Sequence, residues 1–295
     1  MLKNLFKHEM RATAKTFIWL YIAFAVIAVV NAVFVQWGPV NASSIVSSSA
    51  ADGMTAYTVE PVNSVPSPLQ VILILLYMLA VAAISIGTLV VVILRFYRNL
   101  LGDEGYLMMT LPVSREKLIL SKMLTAFIWT VCSGVLIFLS ILLIVASTGH
   151  FGELIEGIGS LTAMGVPFGK WAFVIVLSML VGSVSSILIL YAAIAVGPNL
   201  LKNRLGGSIL AFIIIAVASQ IITYVIMIAS ASISNVFGLV NEAALPGTIN
   251  ESFPLVIMNS AINTISLSAI ISSAAVAVAC WFLTRYMLKR KLNLA

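Results

Sequence analysis

Charge is scarce in this sequence: Asp, Glu, Lys and Arg make up 9% of its 295 residues, against roughly 25% in soluble domains. With 61% of the residues hydrophobic, a soluble globular fold is excluded and a multi-spanning membrane protein is indicated. Cysteine is nearly absent. Cys132 and Cys280 both fall in long apolar runs without metal-ligand spacing, and read as two small buried apolar side chains. The two histidines, His8 and His150, lie outside those runs, and the runs hold no Asp pair. No Ser–His dyad or aspartyl dyad is therefore available for chemistry inside a bilayer. A nucleotide site is missing too. "GVPFGKW" (Gly165–Trp171) superficially resembles a phosphate-binding loop, but three residues rather than four separate its glycines, and Trp171 follows Lys170 in place of Ser or Thr. The chain is not expected to be an enzyme and is expected to hold no metal or cofactor of its own.

What is present is six uncharged runs: Phe17–Trp37, Leu69–Leu94, Met123–Ser147, Trp171–Ala195, Gly207–Ile233 and Asn259–Leu283. Each has about 20 residues or more, enough to cross roughly 30 Å of hydrocarbon as a helix. The first is too long for the core of a signal peptide, and Glu9 precedes it among the bases. None of the six contains Asp, Glu, Lys, Arg or His. That counts against a proton- or ion-coupled transporter, although backbone carbonyls can also bind ions.

The bases alternate in blocks between the runs instead of gathering on one soluble face, which points to membrane topology and not to nucleic acid. Lys3, Lys7, Arg11 and Lys15 precede the first run. Arg95, Arg98, Arg115, Lys117 and Lys122 follow the second; Lys202 and Arg204 follow the fourth; Arg285, Lys289, Arg290 and Lys291 follow the sixth. Of the 16 bases only Lys170 falls on the other side. The positive-inside rule then makes both termini cytoplasmic, together with the loops at 95–122 and 196–206. On the opposite side, 38–68 is a Ser/Pro/Ala-rich loop without regular period. The sequons at Asn41 and Asn250 read as chance matches. Phe151, Leu154, Ile155, Ile158 and Leu161 recur at helical spacing with Glu153 and Glu156 off that face, as in a short helix lying in the membrane interface; Gly152, Gly157 and Gly159 weaken it.

Within the runs the polar residues are mostly Ser and Thr, with Asn31, Gln220, Asn259 and Asn263. Small residues recur as Ser178, Gly182 and Ser186 and as Ala269, Ser273 and Ala277, a pattern of close helix packing. Gln220, Thr223 and Tyr224 are the best candidates to line a path, because an amide and a phenol are costly against lipid.

One cytoplasmic stretch fits neither a span nor an ordinary loop: "GDEGYLMMTLPVSREKLILSK", Gly102–Lys122. Asp103 can cap a two-turn helix with Glu104 at its positive end, and Pro112 stops it. Ser114 can cap a second helix, with Glu116 in its first turn, running through Leu118 and Ile119 into the third span. The first helix is too short to be stable alone and presents Tyr106, Leu107, Met108, Met109 and Leu111. These side chains either dip into the lipid interface beside Arg95, Arg98 and Arg115, or dock into a groove on a cytosolic partner.

"EGYLMMTLPVSREKLILSKML" resembles the loop after the second span in membrane subunits of ABC-type exporters of the type-2 permease family. The layout is similar as well: a basic amphipathic lead-in over residues 1–16, with Leu2, Leu5, Phe6 and Met10 apolar, then six spans and cytoplasmic termini. The resemblance implies that the short helix is a coupling helix, with Asp103, Glu104, Tyr106, Leu107, Met108 and Met109 fitting a cleft in a separate cytosolic ATPase subunit that binds ATP and Mg. It also implies a connecting helix at residues 1–16, a second membrane subunit, identical or related, and a partly re-entrant segment at Ser234–Ser260. The second and fifth spans would line the path, and the site of action would be the bacterial cytoplasmic membrane. The expected fold is thus all-α, polytopic and six-spanning. The expected function is a permease half that moves an antimicrobial peptide, drug or lipid. Two rivals stand beside it: an assembly or immunity protein that recruits some other cytosolic protein, and an ion-coupled secondary transporter.

Overall fold

A computed structural model describes residues 2–37, 68–101, 115–149, 151–163, 167–201, 204–233 and 253–290. Seven α-helices and no strand are found among these residues: α1 (Leu2–Trp37), α2 (Pro68–Leu101), α3 (Arg115–Ser147), α4 (Phe151–Ala163), α5 (Phe168–Leu200), α6 (Arg204–Ile233) and α7 (Phe253–Arg290). All but α4 are long and apolar enough to cross a membrane, so the chain is a multi-pass membrane protein.

The helices overshoot the apolar runs, since a helix does not stop where hydrocarbon stops. The lead-in and the first span form one uninterrupted helix. α3 begins at Arg115 with Glu116 in its first turn and runs through Leu118 and Ile119 into the span, as expected; both of these side chains are buried. Part of the segment proposed as re-entrant belongs to α7, which starts at Phe253; residues 234–252 lie outside the described residues.

Two groups of spans share a central seam. In the first, α1, α2 and α3 close around Phe24, Ala28, Ala80 and Ile84, with Leu136 and Ile137 of α3 against them. In the second, α5, α6 and α7 meet where Leu188 and Ala192 face Val276 and Cys280, with Ile215 alongside. Small residues let these backbones come close, as van der Waals packing in lipid requires. Gly197 and Gly207 are the extreme case: a Cβ at Gly207 would land on the Gly197 carbonyl oxygen, and one at Gly197 on Ser208. The seam joins Val92 and Phe96 of α2, Ile119 and Ala126 of α3, and Ile187, Tyr191 and Ile194 of α5. Phe96 and Tyr191 stack there at 3.7 Å, 9° from parallel.

Contacts gather the polar helix ends at one end of the bundle. Glu9 of α1 meets Arg95 of α2 and Lys122 of α3. Glu116 of α3 pairs with Arg285 of α7 at 2.6 Å, and Asn199 of α5 reaches the Met287 sulfur at 3.8 Å. Cys280 is buried as anticipated, but Cys132 is exposed. In a membrane an apolar side chain needs no protein cover, so an apolar run does not tell inside from outside.

Candidate functional site

Charges missing from the apolar runs come together beyond their ends, Glu9 and Lys122 buried and Arg95 half-buried. Glu9 accepts from Arg95 Nε through Oε2 at 2.5 Å and from Lys122 Nζ through Oε1 at 2.8 Å. Side-chain exposure is 6% for Glu9, 3% for Lys122 and 26% for Arg95. One carboxylate thus joins three helices, each oxygen taking one cation. Desolvating such charges costs several kcal/mol per ion unless geometry and further hydrogen bonds offset it. Polar groups beside the ion pairs are themselves satisfied. Trp129 Nε1 donates to Thr13 Oγ1 at 2.9 Å, and the Thr13 hydroxyl lies 3.0 Å from the Glu9 carbonyl oxygen, which can accept its proton. Phe17 stacks on Trp129 at 4.4 Å, 8° from parallel, closing the cluster on its apolar side.

Glu9, Arg95 and Lys122 line a cavity of about 20 Å³ with Phe17, Phe96 and Tyr191. It has room for about one water molecule, and an organic substrate does not fit. Among the described residues, no three His, Cys, Asp or Glu side chains come together as a metal site would require. The cluster is suited to holding helices in register, and offers no nucleophile–base pair.

From this cluster a set of polar contacts continues along the first helix group. Tyr21 Oη lies 3.0 Å from the Trp129 carbonyl and 2.8 Å from Ser133 Oγ. Ser133 in turn meets Thr88 at 2.8 Å, and Tyr77 meets Ser140 at 2.8 Å. Asn31 Nδ2 donates to the Leu73 carbonyl at 2.6 Å. Each polar side chain is answered by another helix, which fixes rotation and depth of the three helices together.

The sequence-derived candidates fare differently. Asp103, Glu104, Tyr106, Leu107, Met108 and Met109 lie outside the described residues. Gln220 and Tyr224 are exposed on one face of α6, Tyr224 at 61%, while Thr223 is half-buried and its hydroxyl is 2.9 Å from the Ser219 carbonyl. α6 is the least enclosed of the six long helices. Ser178 and Gly182 are half-buried, with open space above Gly182, and Ser186 is exposed. Ala269, Ser273 and Ala277 are half-buried; the buried stripe of α7 runs one position earlier, through Ser268, Ser272, Val276, Cys280 and Thr284.

The charged cluster is absent from the sequence-derived candidates because attention to uncharged runs passes over groups at their edges. A signal for it exists. Buried positions of α1 fall at Glu9, Thr13, Phe17, Phe24, Ala28, Asn31 and Ala32, which lie along one helix face. Glu9 is the one acid in that register before the first run. No protein-family model, curated protein or solved structure matches the chain.

Proposed function

We propose that the chain is the membrane subunit of an ATP-driven exporter of the type-2 permease kind, gripped by a separate ATPase subunit at residues 102–114. The observation that carries this reading is the buried cluster of Glu9, Arg95 and Lys122. Arg95 and Lys122 stand on the helices leading into and out of that segment, and one carboxylate holds both to α1. A force on the segment then moves α1, α2 and α3 as a unit, because separating them would break the ion pairs of Glu9 with Arg95 and Lys122. The Phe96–Tyr191 stack passes the movement to α5, and through α5 to α6 and α7.

The charge pattern supports an orientation with both termini, the cluster and residues 102–114 on the cytoplasmic side, since the polar helix ends that carry the bases gather there. The chain has no nucleotide-binding motif of its own, so ATP and Mg belong to the partner. Substrate would pass between two membrane subunits, identical or related, along the exposed face of α6 that carries Gln220 and Tyr224. An uncharged face suits a small amphipathic substrate such as an antimicrobial peptide, a drug or a lipid better than an ion. Replacing both Leu107 and Met108 by Asp should abolish ATPase binding while the protein still inserts and elutes normally. Unchanged binding would remove the coupling role and favour a protein that recruits something else.

A further inference from the structure

Helix α4 stands apart from every other element. It is amphipathic, has no buried residue, and among the described residues its main contact with the bundle is with α5. On a helical projection Phe151, Leu154, Ile155, Ile158 and Leu161 fall within an arc of about 120°, while Glu153, Glu156 and Ser160 share the opposite side. Of the five apolar residues four are exposed, and Ile158 is half-buried. Nothing lies within 4 Å of where a Cβ would project at Gly152, Gly157 or Gly159, so the flanks of the helix are open as well.

A free 13-residue helix with three glycines does not hold its shape in water: it is near the nucleation limit, and each glycine costs about 1 kcal/mol relative to Ala. Some apolar surface must complete it. The connections on either side say which. α3 ends at Ser147, Gly149 stands at φ 79°, and α4 begins at Phe151. After Ala163 the chain reaches α5 at Phe168. Both tethers are the ends of membrane-crossing helices, at the end of the bundle away from Glu9. At the same end of the bundle the first turns of α5 also expose large apolar side chains, Phe168, Phe173, Ile175 and Val176.

From this we infer that α4 is a membrane-surface helix whose packing partner is the bilayer itself, seated at the boundary of headgroups and acyl chains with Leu154, Ile155, Ile158 and Leu161 turned into the lipid and Glu153 and Glu156 in water. This holds whether or not the chain is an exporter. The unsubstituted chain, reconstituted in phosphatidylcholine nanodiscs, tests it. Part of the phosphatidylcholine would carry a photoactivated carbene precursor high on its acyl chain, and mass spectrometry would locate the label. Leu154, Ile155, Ile158 and Leu161 should take on the order of tenfold more label than Glu153, Glu156 and Ser160, with Phe173 labelled as the internal lipid-facing reference. A water-soluble carbene source should give the reverse pattern. Substituting Ile155→Asp and Ile158→Asp together should abolish lipid labelling across 151–163 and leave Phe173 labelled. Labelled Phe173 with an unlabelled α4 in the native chain would overturn the inference. Aqueous labelling of the apolar face would then mean a loop free in water, and protection from both reagents would mean cover by protein.

Discussion

Replacing Glu9 by Gln keeps the shape of the side chain and removes its charge, so the effect isolates what the carboxylate does for Arg95 and Lys122. The two cations do not suffer equally. Arg95 is 26% exposed and can turn its guanidinium further toward water, so its share is discounted for screening. Lys122 is 3% exposed and has no such escape without helix movement. Breaking a buried pair by removing one partner costs about 3–5 kcal/mol, and with Arg95 discounted the low end, about 3 kcal/mol, applies. On the scale of soluble domains of similar size this lowers the unfolding midpoint by on the order of 10 °C. The chain carries its own reporter. Cys280 is buried and Cys132 exposed, so in a Cys132→Ser background a thiol-reactive dye signals opening of the α5–α7 contact. Adding Lys122→Met should restore part of the loss, because the buried charge that faced the carboxylate has gone. A shift within about 2 °C for Glu9→Gln, or no rescue by Lys122→Met, would refute the claim that the cluster binds the three helices together.

Two further substitutions probe packing. Trp129→Phe keeps an aromatic ring against Phe17 but loses the donation to Thr13, 2.9 Å away; the cost should be about 1 kcal/mol, and Thr13→Val in the same background should add little. Gly207→Ala drives a methyl into the Gly197 carbonyl and should destabilise strongly or part α5 from α6. Gly182→Ala meets open space and should be neutral or stabilise by up to about 1 kcal/mol. The same dye assay reads both, and equal effects at the two glycines would contradict the tight crossing.

The six long helices were legible because each carries an uncharged run long enough for a bilayer. α4 was legible from the spacing of Phe151, Leu154, Ile155, Ile158 and Leu161, in spite of its glycines. Which face of each span turns inward was much harder to read. When Ile, Val and Leu cover a helix all round, periodicity carries no signal, and lipid accepts what a core would also accept. That is why Cys132 is exposed, and why the buried stripe of α7 runs through Ser268 and Ser272 next to the expected Ala269 and Ser273. The charged cluster needed three segments far apart in sequence. The structure shows what links it to the spans: Glu9, Thr13 and Phe17 share the buried face of α1. Docking through Tyr106 to Met109 rests on sequence resemblance and on the cluster that brackets it.

Affinity purification of the chain from its native membrane in mild detergent, with the partners identified by mass spectrometry, tests the coupling role most directly. A P-loop ATPase should copurify in equal amount, and be lost when Leu107 and Met108 are replaced by Asp. Recovery of the chain alone, or with an unrelated partner, would contradict an exporter driven from residues 102–114.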